Sequence, residues 1–200
     1  MKALMVFLLL AVTMIFSIDP KIIEESIPSY PLISYQTLKQ NDGKNGKVWV
    51  AVGGFVYDLT ESDAWYKGTH MGQHDAGEEL TYEILKQSPH GLVKLDGKKI
   101  VGILAFTMDD LKKFNEKNGN KAYVAVNGIV YDVTHSKAWR NGEHMGRHSA
   151  GSELTHEILK LSPHGLSKLS NVYPVGVLVF TLDDLKKLLR KERKESLRSS

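Results

Sequence analysis

Three histidines at fixed spacing recur in this chain. His70, His74 and His90 lie in GTHMGQHDAGEELTYEILKQSPHG, and His144, His148 and His164 lie in GEHMGRHSAGSELTHEILKLSPHG, about 74 residues further on. Imidazole is the side chain most used to bind metals and to ligate iron. Six of the eight histidines fall in this one repeated element. The i, i+4 spacing of His70 and His74 would put both on one helical face, and His90 as a third donor would suit zinc or copper. Gly68 and Gly72 argue against a helix there. The Glu of an H-E-x-x-H protease is missing, since Met71 follows His70. Glycine and proline beside His70 and His90 suit turns that aim an imidazole into a cleft, with residues 78–86 between them as a wall. One imidazole arriving from each side is the geometry that a planar iron porphyrin requires. His135 and His156 are left outside this set, because Glu61 and Tyr82 stand at the matching positions of the first copy.

The elements that must position these side chains also recur. Aligning 48–113 with 122–187 gives identity at nearly two positions in three, a tandem duplication rather than a solenoid of short units. Residues 48–52 and 55–59 alternate apolar and β-branched residues around Gly53-Gly54, a two-residue hairpin pattern. The second copy places Asn127-Gly128, the preferred type I′ pair, between 123–126 and 129–133. Thr60 or Ser62 is expected to cap a short helix carrying Ala64 and Trp65. A helix is expected over 78–86, with Glu78 and Glu79 in its first turn, and a closing strand over 101–104. Phe106-Thr107 opens the next helix, with Asp110 completing a near capping box.

Composition bounds the rest. A chain of 200 residues, 42% hydrophobic and 24% charged, is an ordinary globular protein of one medium or two small domains. The net charge of +3 owes much to the tail 186–198, so no dispersed basic surface argues for nucleic acid. With no cysteine, disulfides, iron–sulfur clusters and covalently attached haem are excluded. Residues 1–18 carry Lys2 and then an unbroken apolar run, which reads as a signal peptide or signal anchor and puts the remainder outside the cytoplasm, secreted or membrane-tethered. Residues 19–33, with Pro20, Pro28 and Pro31, read as a linker. FTLDDLKK at 180–187 reads as a closing helix with a basic tail to 200.

The motif order resembles the cytochrome b5-like haem/steroid-binding domain family. Phe55-Val56-Tyr57-Asp58-Leu59-Thr60 is similar to that family's strand motif, Ala76-Gly77-Glu78-Glu79-Leu80-Thr81 to its AGGDAT-type segment, and Val101-Gly102-Ile103-Leu104 to its closing strand. Residues 129–134, 150–155 and 175–178 repeat them. The resemblance implies an α+β fold of two tandem domains, 34–105 and 106–179, each a small mixed sheet with short helices forming a haem cleft. His90 and His164 align with the family's second axial ligand. His70-Met71-Gly72 and His144-Met145-Gly146 match in part the His-Pro-Gly-Gly loop that carries the first. His74 and His148 stand as alternatives for that ligand, or as hydrogen-bonding residues. The loop before Ala76-Gly77 is shorter than in most of the family, as in the progesterone-receptor-like branch, which ligates through Tyr. The reading that follows is one b-type haem per domain, two per chain, for one-electron transfer to an unidentified redox partner or for haem handling. Two imidazoles fill both axial positions, and no separate catalytic group stands out, so no enzyme is expected. A steroid-like or other hydrophobic ligand, a haem-sensing role, and His-bound zinc or copper are the alternatives.

Overall fold

The computed structural model describes residues 18–181. The expected signal segment lies outside the described residues save for Ile18, and the expected C-terminal helix and tail save for Phe180 and Thr181. Among the described residues no helix is long and apolar enough to cross a membrane.

Asp19 caps α1 (Pro20–Ser26) by accepting from the Lys21 N–H, with Pro20 at the first helical position, where its missing donor costs nothing. Ile23 of this helix is 0% exposed and joins the main core. Residues 19–33 are therefore no linker. They hold a helix packed on the body of the protein, followed by β1 (Leu32–Ser34). Ser34 then caps α2 (Tyr35–Gln40) through the Thr37 N–H.

Both hairpins form in the expected register. β2 (Trp49–Val52) pairs with β3 (Phe55–Asp58), and β7 (Tyr123–Val126) pairs with β8 (Ile129–Asp132), in each case closing on a two-residue turn. Asn127 and Gly128 take φ of 52° and 78°, as type I′ geometry demands. Residues 60–68 form turns rather than the expected short helix.

The largest departure from expectation is β6 (Lys99–Thr107). Its first half runs antiparallel to β3 and its last three residues run parallel to β13 (Tyr173–Val179). The boundary expected between 105 and 106 thus falls inside one unbroken strand. Strands of both copies join one eight-stranded sheet, in the order β12 (Ser152–Glu153), β7, β8, β13, β6, β3, β2, with β1 also on β6. Residues 105–107 lie on β13 as β1 lies on β6. Both parallel contacts need a glycine. A Cβ on Gly102 would stand 2.5 Å from the Pro31 carbonyl oxygen, and one on Gly176 would stand 2.5 Å from that of Leu104. Thr107 leaves the strand and caps α3 (Met108–Leu111) with a complete capping box to Asp110, as the sequence predicts.

Because the sheet is covered on both sides, its strands read as nearly continuous apolar runs, WVAV and FVY in one copy and YVAV and IVY in the other. Val50, Val52, Phe55 and Ile103 share one core cluster with Val124, Val126 and Ile129. Ala51, Val56, Leu104 and Phe106 share a second with Tyr123, Ala125 and Val130. Each cluster draws on both copies.

The helix expected over 78–86 begins only at Thr81. Glu79 is taken by the sheet instead: the Ala51 N–H donates to the Glu78 carbonyl at 2.9 Å, and the Leu80 N–H donates to the Ala51 carbonyl at 2.8 Å. This leaves the Glu79 side chain 3% exposed against the second copy. Its Oε1 accepts from Thr81, and its Oε2 from the Tyr123 hydroxyl at 3.2 Å. Lys121 donates to the Glu79 carbonyl at 2.8 Å and to the Glu83 carboxylate at 3.2 Å. Burial pushes the Glu79 carboxyl from its ordinary 4.5 up to about 7, against the opposing pull of Lys121.

Two outcomes are expected from this packing. Ile23→Ala should lower the unfolding free energy by about 2–5 kcal/mol, the usual range for emptying a buried aliphatic site; a linker residue would leave the urea midpoint unmoved. Glu79 retains its proton in the folded chain where the unfolded chain has lost it, so folding binds a proton across that window. Stability present below pH 4.5 is therefore lost as pH rises towards 7. Glu79→Gln removes this loss, so its urea midpoint should fall less than that of the wild type between pH 4.5 and 8. Parallel profiles would contradict it.

Candidate functional site

The first two histidines of each copy face one another across a small hairpin. In β4 (Thr69–His70) and β5 (His74–Asp75), His70 is the cross-strand partner of His74. In the second copy, His144 of β10 (Glu143–His144) pairs with His148 of β11 (His148–Ser149) on one side. On the other it pairs with Trp139 of β9 (Trp139–Arg140). The His144 and His148 ring centres lie 6.3 Å apart. The i, i+4 spacing is thus that of a strand–turn–strand, with Met71 and Met145 at the tips in left-handed conformation (φ 51° and 54°) and 80% and 82% exposed.

The hairpins are anchored where the backbone comes closest to the preceding loop. A Cβ on Gly68 would stand 2.0 Å from the Asp42 carbonyl oxygen, and one on Gly142 would stand 2.3 Å from that of Asn115. The Ala76 N–H then donates to the Gly68 carbonyl, and that of Ala150 to Gly142, each at 2.7 Å.

Tryptophans back the first histidine of each pair. Trp65 stacks on His70 at 5.3 Å between ring centres, and Trp139 meets His144 at 5.4 Å. The His70 Nδ1 lies 2.8 Å from the Ala64 carbonyl oxygen. A carbonyl only accepts, so Nδ1 is the donor, and the neutral ring in this orientation leaves Nε2 as the lone-pair atom, the arrangement that prepares a histidine to ligate. Burial, and then the neighbouring His148, hold His144 below the usual imidazole value, which favours the neutral ligating form. The sequence reading missed these backing groups. The signal was present, since Trp precedes the first histidine by five residues in both copies.

His90 and His164 stand on a different turn. Each follows a π-helical turn, Glu83–Gln87 or Glu157–Leu161, and precedes a 3₁₀ helix, Gly91–Leu95 or Gly165–Asn171. π-Helical turns often occur at functional positions. Each of these histidines donates its backbone N–H to the serine hydroxyl two residues earlier, at 3.2 Å. Both are exposed, whereas His70, His74, His144 and His148 are half-buried. The structure therefore brings His70 together with His74 and His144 with His148. It sets His90 and His164 on the turns beyond the helical segments. Among the described residues no three His, Cys, Asp or Glu side chains converge on a metal position. An open pocket beside His144 is lined by Lys137, Arg140, Glu143 and Met145. Of the histidines set aside on sequence, His135 stacks on Tyr82 of the other copy at 3.6 Å, and His156 is exposed.

Residues 107–179 match the family model described as Cytochrome b5-like Heme/Steroid binding domain. No match was found among curated proteins. Among solved structures, a Hadesarchaea cytochrome b5 domain protein is 45% identical over 38% of this chain and 97% of its own, with a TM-score of 0.36. A Methanococcoides burtonii cytochrome b5 domain protein is 41% identical over 38% of this chain and 96% of its own, with a TM-score of 0.36. A hypothetical protein from Arabidopsis thaliana, described as having a cytochrome b5 like fold, is 23% identical over 38% and 90%, with a TM-score of 0.31. Residues 107–179 are thus similar to the cytochrome b5-like haem/steroid-binding domain family.

Proposed function

We propose that the chain binds b-type haem non-covalently, one in each copy, and works outside the cytoplasm in one-electron transfer or haem handling rather than as an enzyme. The observation that carries this reading is the histidine set. Each copy presents two half-buried imidazoles on a hairpin and one exposed imidazole on the turn beyond the helical segment, inside a match to a haem/steroid-binding family in the second copy. The donor chemistry fits the group. With Nδ1 given to the Ala64 carbonyl, His70 offers Nε2, and His90 has no side-chain hydrogen bond among the described residues to break. His144 and His164 are the corresponding ligands of the second copy. When bound, a six-coordinate haem iron supplies reversible one-electron chemistry. Lys137 and Arg140 beside His144 would offer cations to the porphyrin carboxylates. The extracytoplasmic placement rests on the apolar run of residues 1–18, which would also hold the chain to the membrane if uncleaved.

A second reading has an observation of its own. The cross-strand pair His144 and His148, like His70 and His74, would suit a zinc or copper ion held by two imidazoles with further ligands from water.

Hemin titration separates the two. A sharp Soret band that shifts on reduction, saturating near two haems per chain, is expected. His90→Ala and His164→Ala should each remove the low-spin haem of one copy, as should His70→Ala and His144→Ala. His74→Ala and His148→Ala should leave the spectrum nearly unchanged. Tight zinc binding abolished by His74→Ala, with no six-coordinate haem spectrum, would replace the haem reading by the metal one.

A further inference from the structure

The two copies meet through a contact that runs in one direction. Lys121, Tyr123 and His135 of the second copy reach Glu79, Tyr82 and Glu83 of the first, through the ion pairs, the hydroxyl bond and the stacked rings described above. A two-fold arrangement would use each surface twice. This one uses the leading surface of the second copy and the trailing surface of the first, so the leading surface of the first and the trailing surface of the second are left over.

Shifting by the repeat identifies them. Lys47, Trp49 and Glu61 stand where Lys121, Tyr123 and His135 stand, and Glu153, His156 and Glu157 stand where Glu79, Tyr82 and Glu83 stand. The lysine and both glutamates, which make the ion pairs, are the same residues in both copies. The local geometry is also repeated: Thr155 donates its N–H to Glu153 Oε1 at 3.0 Å and its hydroxyl to the same oxygen, as Thr81 does to Glu79. This presets the Glu153 carboxylate and leaves its Oε2 without a hydrogen bond among the described residues, at the position where Glu79 accepts from Tyr123. On the other surface, the Trp49 indole N–H is buried beside the Asp58 carboxylate of its own copy, and Lys47 lies over the Trp49 ring at 5.5 Å. Glu153 and Trp49 are each more exposed than Glu79 and Tyr123, and Lys47, Glu61 and His156 are exposed.

We infer that the chain associates with a second copy of itself head to tail, the Glu153–His156–Glu157 surface of one molecule docking on the Lys47–Trp49–Glu61 surface of the next. Lys47 pairs with Glu153 and Glu157. Glu61 accepts from His156 where the internal contact has a stacked pair. A contact of this kind joins two different surfaces, so it propagates into an open chain or closes into a ring and does not stop at a two-fold dimer.

Sedimentation velocity on the full chain, in a mild detergent that masks the apolar N-terminal run, tests it. The wild type should show a mass that rises with protein concentration. Lys47→Glu and the double variant Glu153→Lys/Glu157→Lys should each weaken assembly at least tenfold, as opposed charges turn to like charges across the contact. An equimolar mixture of the two variants should assemble again, because one molecule keeps an intact trailing surface and the other an intact leading surface. Urea midpoints show that the variants are folded, and Glu61→Arg attacks the same surface if Lys47→Glu does not fold. A wild type that is monomeric at every concentration overturns the inference. So does an assembly indifferent to these substitutions, which would be association through another surface, and so does a mixture that stays dissociated.

Discussion

Strand β6 is the constraint on which the rest of the molecule depends. Its front half completes the first copy against β3, and its last three residues begin the second against β13. Nine residues therefore serve as closing strand and opening strand with no connecting loop between them. A shared strand fixes the spacing of the copies by backbone hydrogen bonds, and side-chain choice follows. Gly102 and Gly176 admit the parallel neighbours, Leu104 and Phe106 fill the second core cluster, and Ile103 and Ala105 fill the first. No cut near residue 105 leaves either half with its own complete sheet.

The histidine loops inherit their positions from this frame. Each hairpin closes on a glycine pressed against the loop that follows the first helix of its copy, and each backing tryptophan belongs to the turn that leads into it. The imidazoles are thus held by backbone contacts that the sheet sets. The copies are not equal in this respect. His144 lies between Trp139 and His148 in a three-stranded ribbon, while on the outer side of the first hairpin a single bridge, Tyr66 to Thr69, replaces the third strand, and His70 is steadied by Trp65 and the Ala64 carbonyl. Lys137, Arg147 and Ser149 stand where the first copy has Asp63, Gln73 and Asp75, which gives the second hairpin a more basic surround.

Local features were the most legible in the sequence. The turns at Gly53-Gly54 and Asn127-Gly128, and the Thr107 capping box, depend on a few adjacent residues whose backbone needs are set by their own chemistry. Two features were misread for the same physical reason. Glu78 to Leu80 carry a helix-like pattern, but Ala51 offers them a strand partner, and tertiary hydrogen bonds override weak helix propensity. Residues 19–33 carry linker-like prolines, yet Pro20 starts a helix, and the buried Ile23 decides its fate through a contact distant in sequence. The histidines were legible as a set. Their arrangement was not, because i, i+4 spacing serves a helical face and a tight hairpin alike until the glycines at 72 and 146 are given their left-handed conformation.

The polar node between the copies explains why two similar apolar faces settle in one arrangement. Apolar contact is non-directional, and strands as alike as WVAV and YVAV would accept more than one mutual placement. A buried carboxylate is costly unless its partners are in place, and displacing either copy would leave Glu79 without Tyr123 and Lys121. The ionised pair adds no net stability, since the burial cost exceeds the attraction, but the penalty for misplacement is large. Glu79 is held by Thr81 on one oxygen and by the other copy on the second, so its carboxylate reports directly on the register between them. In this protein the apolar faces supply the adhesion between copies, and a single lysine, tyrosine and glutamate supply its uniqueness.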